Sequence, residues 1–511
     1  MLTGGVWSWE VSTKNHTLKY CLLIGQIDHN DSMYRTRGTR EALDTRVEKK
    51  YQKDNFNLEG TKVGHIKLND PEYGYYDPEV PTQEFTVKEL ESMEQKSFSG
   101  ATWDPITANG TTSAWISKHG RNITAFVSNN DGMAEGAVRA YNWNTGMPIF
   151  GYDANKTTLI SIDNDMIMGT IDSNTVGQCL TTSVIIRNIF NASQPSSKYE
   201  NKSLIQYMWD KYHTPYNPIY EGFQYDDSEY QVEFKKQPEV EKVDDIHSKI
   251  SYGKGYVHST VTFDGCLNDD LVNNPESHHA ILLKNRSVTK DKYTEEIDPS
   301  AIKADYFFDD KGNTLSFNEI YAKAEGENVE KDKENIIKPD KQTTAVRLWQ
   351  SWYSKTDTFF TGNMNPYFDI TQGSNMFNFT VDRAEGDGSD EGINLNKLDA
   401  ALARTERPNA FLINPVQQPN SIQYITKIAT AYGLQEKDNW IDRSDMPIIF
   451  WNRQPTDRHG AISSKDIMNN KYFKYTYYIG FDAEQGGELQ GNMVKAWLNR
   501  AYIENYKKGE R

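Results

Sequence analysis

Cysteine is scarce in this chain: 511 residues include only Cys21, Cys179 and Cys266, at spacings that suit neither a disulfide framework nor a zinc site. Cys21 and Cys179 stand in apolar stretches and are expected to be buried. Positive charge is in deficit, with 56 Lys and Arg against 72 Asp and Glu and a formal net charge of -16. That sign disfavours nucleic acid or an anionic membrane surface as the main partner and suits a neutral ligand. No run of about 18 apolar residues occurs, and residues 1–14 lack the basic-then-apolar pattern of an export signal. Also missing are a G-x-S-x-G elbow, a G-x-x-x-x-G-K phosphate loop, an H-E-x-x-H metal motif and a basic helix-turn-helix. These absences argue against the matching hydrolase, nucleotide and metalloprotease chemistries and against transcriptional control.

What is present is a repeated grammar of short apolar strand, turn and amphipathic helix. The pattern predicts strands at 20–24, 124–128, 148–152, 168–171, 410–413 and 447–451, and helices at 31–44, 132–143, 175–190 and 485–499. Strands alternating with helices predict parallel α/β sheets, and a chain this long predicts more than one lobe. In such sheets ligands bind beyond the carboxyl ends of the strands. Two segments break the grammar. Residues 298–342 are charge-rich and read as a linker with some helix, and 194–275 are rich in Tyr and Asn with weak periodicity.

Residues 21–46 (CLLIGQIDHNDSMYRTRGTREALDTR) and 126–174 (FVSNNDGMAEGAVRAYNWNTGMPIFGYDANKTTLISIDNDMIMGTIDSN) resemble the second part of the bacterial galactose/glucose-binding proteins. The matching first part comes later, in YSKTDTFFTGN at 353–363, MPIIFWNRQPT at 446–456 and YYIGFDAEQGGELQGNMVKAW at 477–497. Reading 343–511 and then 1–297 restores the family order, so the resemblance implies a circularly permuted chain. AILLKNRSVTKDKY at 280–293 is similar to the end of the family fold, which makes 298–342 the bridge between the family's old termini. The implied fold is α/β, a two-lobed type I periplasmic-binding-protein fold with a helix-flanked parallel sheet in each lobe. One lobe would comprise 343–480 with 173–275, the other 482–511, 1–172 and 276–297, with the hinge near Gly480, Ser173 and residue 275. The resemblance leaves out 47–95 and most of 194–275.

A pyranose offers apolar CH faces and a rim of hydroxyls that both donate and accept, so its site needs aromatic plates and charged or amide groups around the edge. The resemblance implies such a set: Asp357 and Phe359 in KTDTFF, Asn452 in FWNRQP, His29, Asp31 and Arg35 in DHNDSMYRT, Trp103 in ATWDP, Asn130 in SNND and Asp153 in FGYDAN. A last amide contact falls at Ser173 or Asn174. Singly, each Asp or Asn also reads as a strand-end turn or helix cap, His29 as a surface or cap histidine, and Trp103 and Phe359 as core residues. Together they imply capture of a neutral hexose, glucose or galactose, without catalysis. The implied partners are the membrane permease and ATPase of an ABC transporter, with the protein monomeric, extracellular and held at the cell surface by a segment outside this chain. No cofactor is implied. The family's calcium loop would lie where this chain has its ends, NYKKGER and MLTGGVWSWEVSTKNHTLKY, without a D-x-D-x-D-G series, so no metal site is expected. The alternatives are a surface adhesin or structural protein reusing the fold, and a glycoside hydrolase built on Asp31 with Asp153 or Asp357.

Overall fold

The alternating grammar builds two sheets in the computed structural model. It describes residues 15–27, 29–47, 62–71, 76–141, 147–173, 285–289, 345–355, 357, 359–365, 368, 378–388, 390–433, 446–456 and 476–509, with parts of 175–206 and short strands between 239 and 316. The first sheet contains β1 (Thr17–Ile24), β2 (Gly64–Leu68), β3 (Gln83–Glu94), β4 (Ala125–Ser128), β5 (Ile149–Phe150) and β6 (Gly169–Asp172). The second contains β7 (His279–Leu283), β9 (Ala345–Trp352), β10 (Asn378–Glu385), β11 (Ala410–Ile413), β12 (Ile448–Trp451) and β13 (Thr476–Phe481), while β8 (Arg286–Thr289) returns to the first. Their orders are β8-β6-β5-β4-β1-β3-β2 and β7-β13-β12-β11-β9-β10. Every pair in the second sheet is parallel. In the first, only the edge strands β2 and β8 run antiparallel to their neighbours.

Central strands read as unbroken apolar runs because helices cover both faces of a parallel sheet. Leu18, Tyr20, Leu22 and Ile24 of β1 face one core with Val127, Phe150 and Ile171, and Cys21 and Leu23 face another with Phe126 and Ala134. The second sheet likewise separates two cores, one around Trp352, Phe360 and Trp451 and one around Leu398, Phe411 and Tyr424. The covering helices are α1 (Asn30–Ala42), α2 (Pro105–His119), α3 (Asp131–Ala140), α4 (Lys156–Asp163), α5 (Glu391–Leu402), α6 (Ser421–Ala431) and α7 (Ala483–Lys507). Asp104, Asn130, Asp390 and Asp482 cap four of them with side-chain oxygens that accept first-turn amides. Cys21 and Cys179 are both buried.

Although α7 directly follows β13 of the second sheet, it packs on the first. Met493, Val494, Trp497 and Leu498 join the β1 core, and the Trp497 ring meets Phe150 edge-on at 6.2 Å. Glycines let α7 and α1 touch backbone to backbone: a Cβ on Gly38 would collide with the Glu484 carbonyl, and one on Gly487 with the Arg35 carbonyl.

Several boundaries differ from the sequence expectation. Residues 276–297 do not all stay with the first sheet, because β7 pairs with β13 in the second and the chain crosses only between Leu283 and Arg286. So short a connection makes the two strands read as one in the sequence. The segment 47–95 supplies β2 and β3, which widen the first sheet at one edge. Within 298–342 the described residues form two short paired strands, Lys303–Phe308 and Thr314–Ser316, rather than helix. Residues Met1, Asn174, Cys266 and Arg511, the end of the expected helix at 143, and most of 194–275 and 298–342 lie outside the described residues.

Candidate functional site

The strand ends of both sheets open onto one cleft of about 240 Å³. From the first sheet, the turn after β1 delivers His29 and the start of α1 delivers Asp31 and Arg35, the loop after β3 delivers Trp103, and the segments after β4 and β5 deliver Asn130 and Asp153. From the second, the segment after β9 delivers Asp357 and Phe359, and the end of β12 delivers Asn452. Ser173 is not among the lining residues. It is fully buried just beyond β6, where its carbonyl accepts from Gln178 Nε2.

His29 caps α1, its Nδ1 accepting the Asp31 amide at 3.1 Å. Burial first, then the charges of Arg453 and Arg35, hold the ring well below the usual imidazole range, so it is neutral. The proton therefore sits on Nε2, which is buried without a protein partner and is available as a donor. Nδ1 also lies 3.9 Å from Asp31 Oδ2, but with a neutral ring that approach is no ion pair.

Arg35 lies farther along α1, its guanidinium 3.8 Å over the Tyr152 ring, 4.9 Å over Phe481 and 5.5 Å over Trp103. Its Nη1 donates to the Asn129 carbonyl at 2.6 Å and to Asp153 Oδ1 at 3.2 Å, while Nε has no protein partner. Burial pushes the Asp31 carboxyl up to about 6 against the pull of Arg35 and Arg453. Burial also raises Asp153, opposed by Arg35, and raises Asp357, opposed by Arg453. Asp357 Oδ1 accepts the Phe359 amide at 3.0 Å.

The Trp103 indole lies so close against Gly25 that an added Cβ would collide with the ring, and it meets the His29 ring edge-on at 5.6 Å. Its Nε1 is also buried without a protein partner. Phe359 belongs to the second sheet's core as well as to the cleft wall. Trp103, Asp153 and Asn452 hold φ of 61°, 117° and 63°. Non-glycine residues adopt that region at a cost, and such strain gathers where side chains must be aimed.

The lining residues that escaped the sequence reading include Tyr353, Arg453, Glu135, Arg139 and Asp387. Arg453 is buried, stacks 4.0 Å over Tyr353, and donates to the Val416 carbonyl at 2.5 Å. Its signal was its place directly after Asn452, and that of Tyr353 its place at the end of a buried strand. The lobes also meet around the cleft, where the Asn30 amide donates to Gln418 Oε1 at 3.0 Å and Asn363 Nδ2 to Asn155 Oδ1 at 3.2 Å.

Residues 10–185 match the family described as periplasmic binding protein domain. Together with the parallel-rich sheets, this makes the fold that of a periplasmic binding protein, α/β in the two described sheets and their helices. Among curated proteins, the chain is similar to the D-galactose/methyl-galactoside binding periplasmic protein MglB of Haemophilus influenzae, 35% identical over 137 residues. That alignment takes in 25% of this chain and 41% of the relative, so the chain spans about two fifths of the relative's length. Among solved structures, a twin-arginine translocation pathway signal protein from Burkholderia phytofirmans is 17% identical, with a TM-score of 0.21 over 33% of this chain and 40% of that one. A periplasmic solute binding protein of an ABC transporter from Actinobacillus succinogenes, solved with D-allose, is 18% identical, with a TM-score of 0.20 over 33% of this chain and 46% of that one. Among the described residues, no helix is long and apolar enough to cross a membrane.

Proposed function

We propose that this chain captures a neutral hexose, glucose or galactose, between its two lobes and presents it to the permease and ATPase of an ABC transporter outside the cell. The observation that carries the reading is the convergence of Asp31, Asp153 and Asp357, the Arg35 guanidinium, a neutral imidazole and the Trp103 and Phe359 rings on one cleft fed by both sheets. The buried donors His29 Nε2, Arg35 Nε and Trp103 Nε1 lack protein partners, and sugar hydroxyls would satisfy them. Asp31, Asp153 and Asp357 accept from hydroxyls, Asn130 and Asn452 complete the rim, and Trp103 and Phe359 face the CH surfaces. Ser173 fits a hinge crossing better than a ligand contact, since β6 ends there and the buried residues Cys179 and Ile185 join the second sheet's core.

The site favours binding over hydrolysis. Burial raises Asp31, Asp153 and Asp357 in the same direction, whereas a glycosidase separates one acid from one base. Circular permutation is part of the proposal. It is supported by α7, late in the chain, packing on the sheet that β1 begins, and it divides the lobes at Asp172, Leu283 and Phe481. The sugars for which the similar Haemophilus influenzae protein is named, D-galactose and methyl-galactoside, agree with the sugar class. An adhesin reusing the fold is the competing reading. Calorimetry with a hexose panel decides: the expected result is one site with a dissociation constant on the order of micromolar, about -8 kcal/mol. No heat with any hexose, or product released from aryl glycosides, contradicts it.

A further inference from the structure

Tyr353 lines the cleft with its ring fixed by two neighbours. The Arg453 guanidinium lies 4.0 Å from the ring centre, and a Cβ on Gly388 would come 3.2 Å from Cζ. The phenol is therefore aimed, and it points across to the other lobe. There its oxygen is 3.0 Å from Thr102 Oγ1, accepts the Thr102 amide at 3.2 Å and donates to the Thr102 carbonyl at 3.2 Å. One hydroxyl thus engages every polar atom of the residue that immediately precedes Trp103. Thr102 is held from its own lobe by a β-bridge to Lys96, and the next residue turns into the left-handed region at φ 61°.

We propose that Tyr353 is a positioning residue, which reaches from one lobe to set the Trp103 plate of the other, so that stacking on the ligand is completed only as the lobes close. The inference rests on the hexose reading for its consequence, but the contact itself is independent of any ligand. A hydrogen bond between the lobes favours the closed state with or without ligand, and here it does so while fixing a ligand-facing ring.

The test is Tyr353→Phe, which removes the hydroxyl and keeps the ring. Affinity for the hexose bound best by the parent is expected to fall about fivefold, mostly through faster dissociation. In a Trp103→Ala background the same substitution should add almost nothing, a non-additivity that a merely structural role would not produce. Losses that simply add would overturn the inference. Amide exchange of the ligand-free protein supplies a second reading: Thr102 should exchange faster in Tyr353→Phe, and an unchanged rate would also overturn it. If the parent binds no hexose while Thr102 exchange still rises, the positioning contact stands and the sugar reading alone fails.

Discussion

At the scale of residues, the cleft is a place where burial and charge work against each other. The Asp31 carboxyl is held at about 6, facing Arg35, Arg453 and His29. An unfolded aspartate titrates near about 3.9. The folded state thus binds this proton more tightly, and the ligand-free protein should lose stability as pH rises from about 4 to about 6. A hydroxyl donating to the ionised carboxylate has the opposite preference. Asp153, raised by burial to about 7, acts in the same direction, so hexose affinity should be at least about tenfold weaker at pH ~5 than at pH ~7, with proton release on binding visible as buffer-dependent heats. Equal affinity at both values would remove Asp31 and Asp153 from the ligand. Asp357→Ala should cost roughly 2 to 5 kcal/mol of binding, since it strands hydroxyls in a dry site, with calorimetry as the check. These positions were legible because each follows an apolar strand in a recognisable polar string. Arg453 and Tyr353 offered only their place, after Asn452 and at the end of a buried strand, because the stacking that defines their roles joins residues far apart in the chain.

At the scale of elements, the seam between α1 and α7 holds the site as much as any ligand-facing residue. A Cβ on Gly487 would collide with the Arg35 carbonyl, and one on Gly491 would meet the Ala42 Cβ at 2.6 Å. Gly487→Ala should destabilise the protein by about 1 to 3 kcal/mol through overpacking. Because the push falls on Arg35, hexose affinity should drop as well, and a denaturant titration beside calorimetry separates the two effects. Wild-type stability and affinity in this variant would show that the helices are not in contact. Strands β4, β11 and β12 were readable almost to the residue as unbroken apolar runs. β1 begins earlier than expected, at Thr17, because its first turn of pairing alternates buried and half-buried positions and lacks the apolar run. The crossing after Leu283 was hidden, because HAILL and RSVT read alike as strand and which sheet each joins depends on partners elsewhere in the chain. The widening of the first sheet by β2 and β3 was equally invisible to a resemblance that left 47–95 without a counterpart.

At the scale of the whole molecule, distant parts of the chain join into each lobe. Two separately made chains, 1–297 and 343–511, should associate into one folded, sugar-competent complex, since no strand of either sheet is cut. Failure to associate under conditions where the intact chain folds would count against the permuted arrangement. The proposed function is capture of a hexose between two lobes that close on it. It is tested most directly by small-angle scattering of the intact protein with and without glucose or galactose. The expected result is a saturable decrease in radius of gyration, with its midpoint at the dissociation constant measured by calorimetry. Scattering unchanged from zero to saturating hexose, or binding without any compaction, would contradict it.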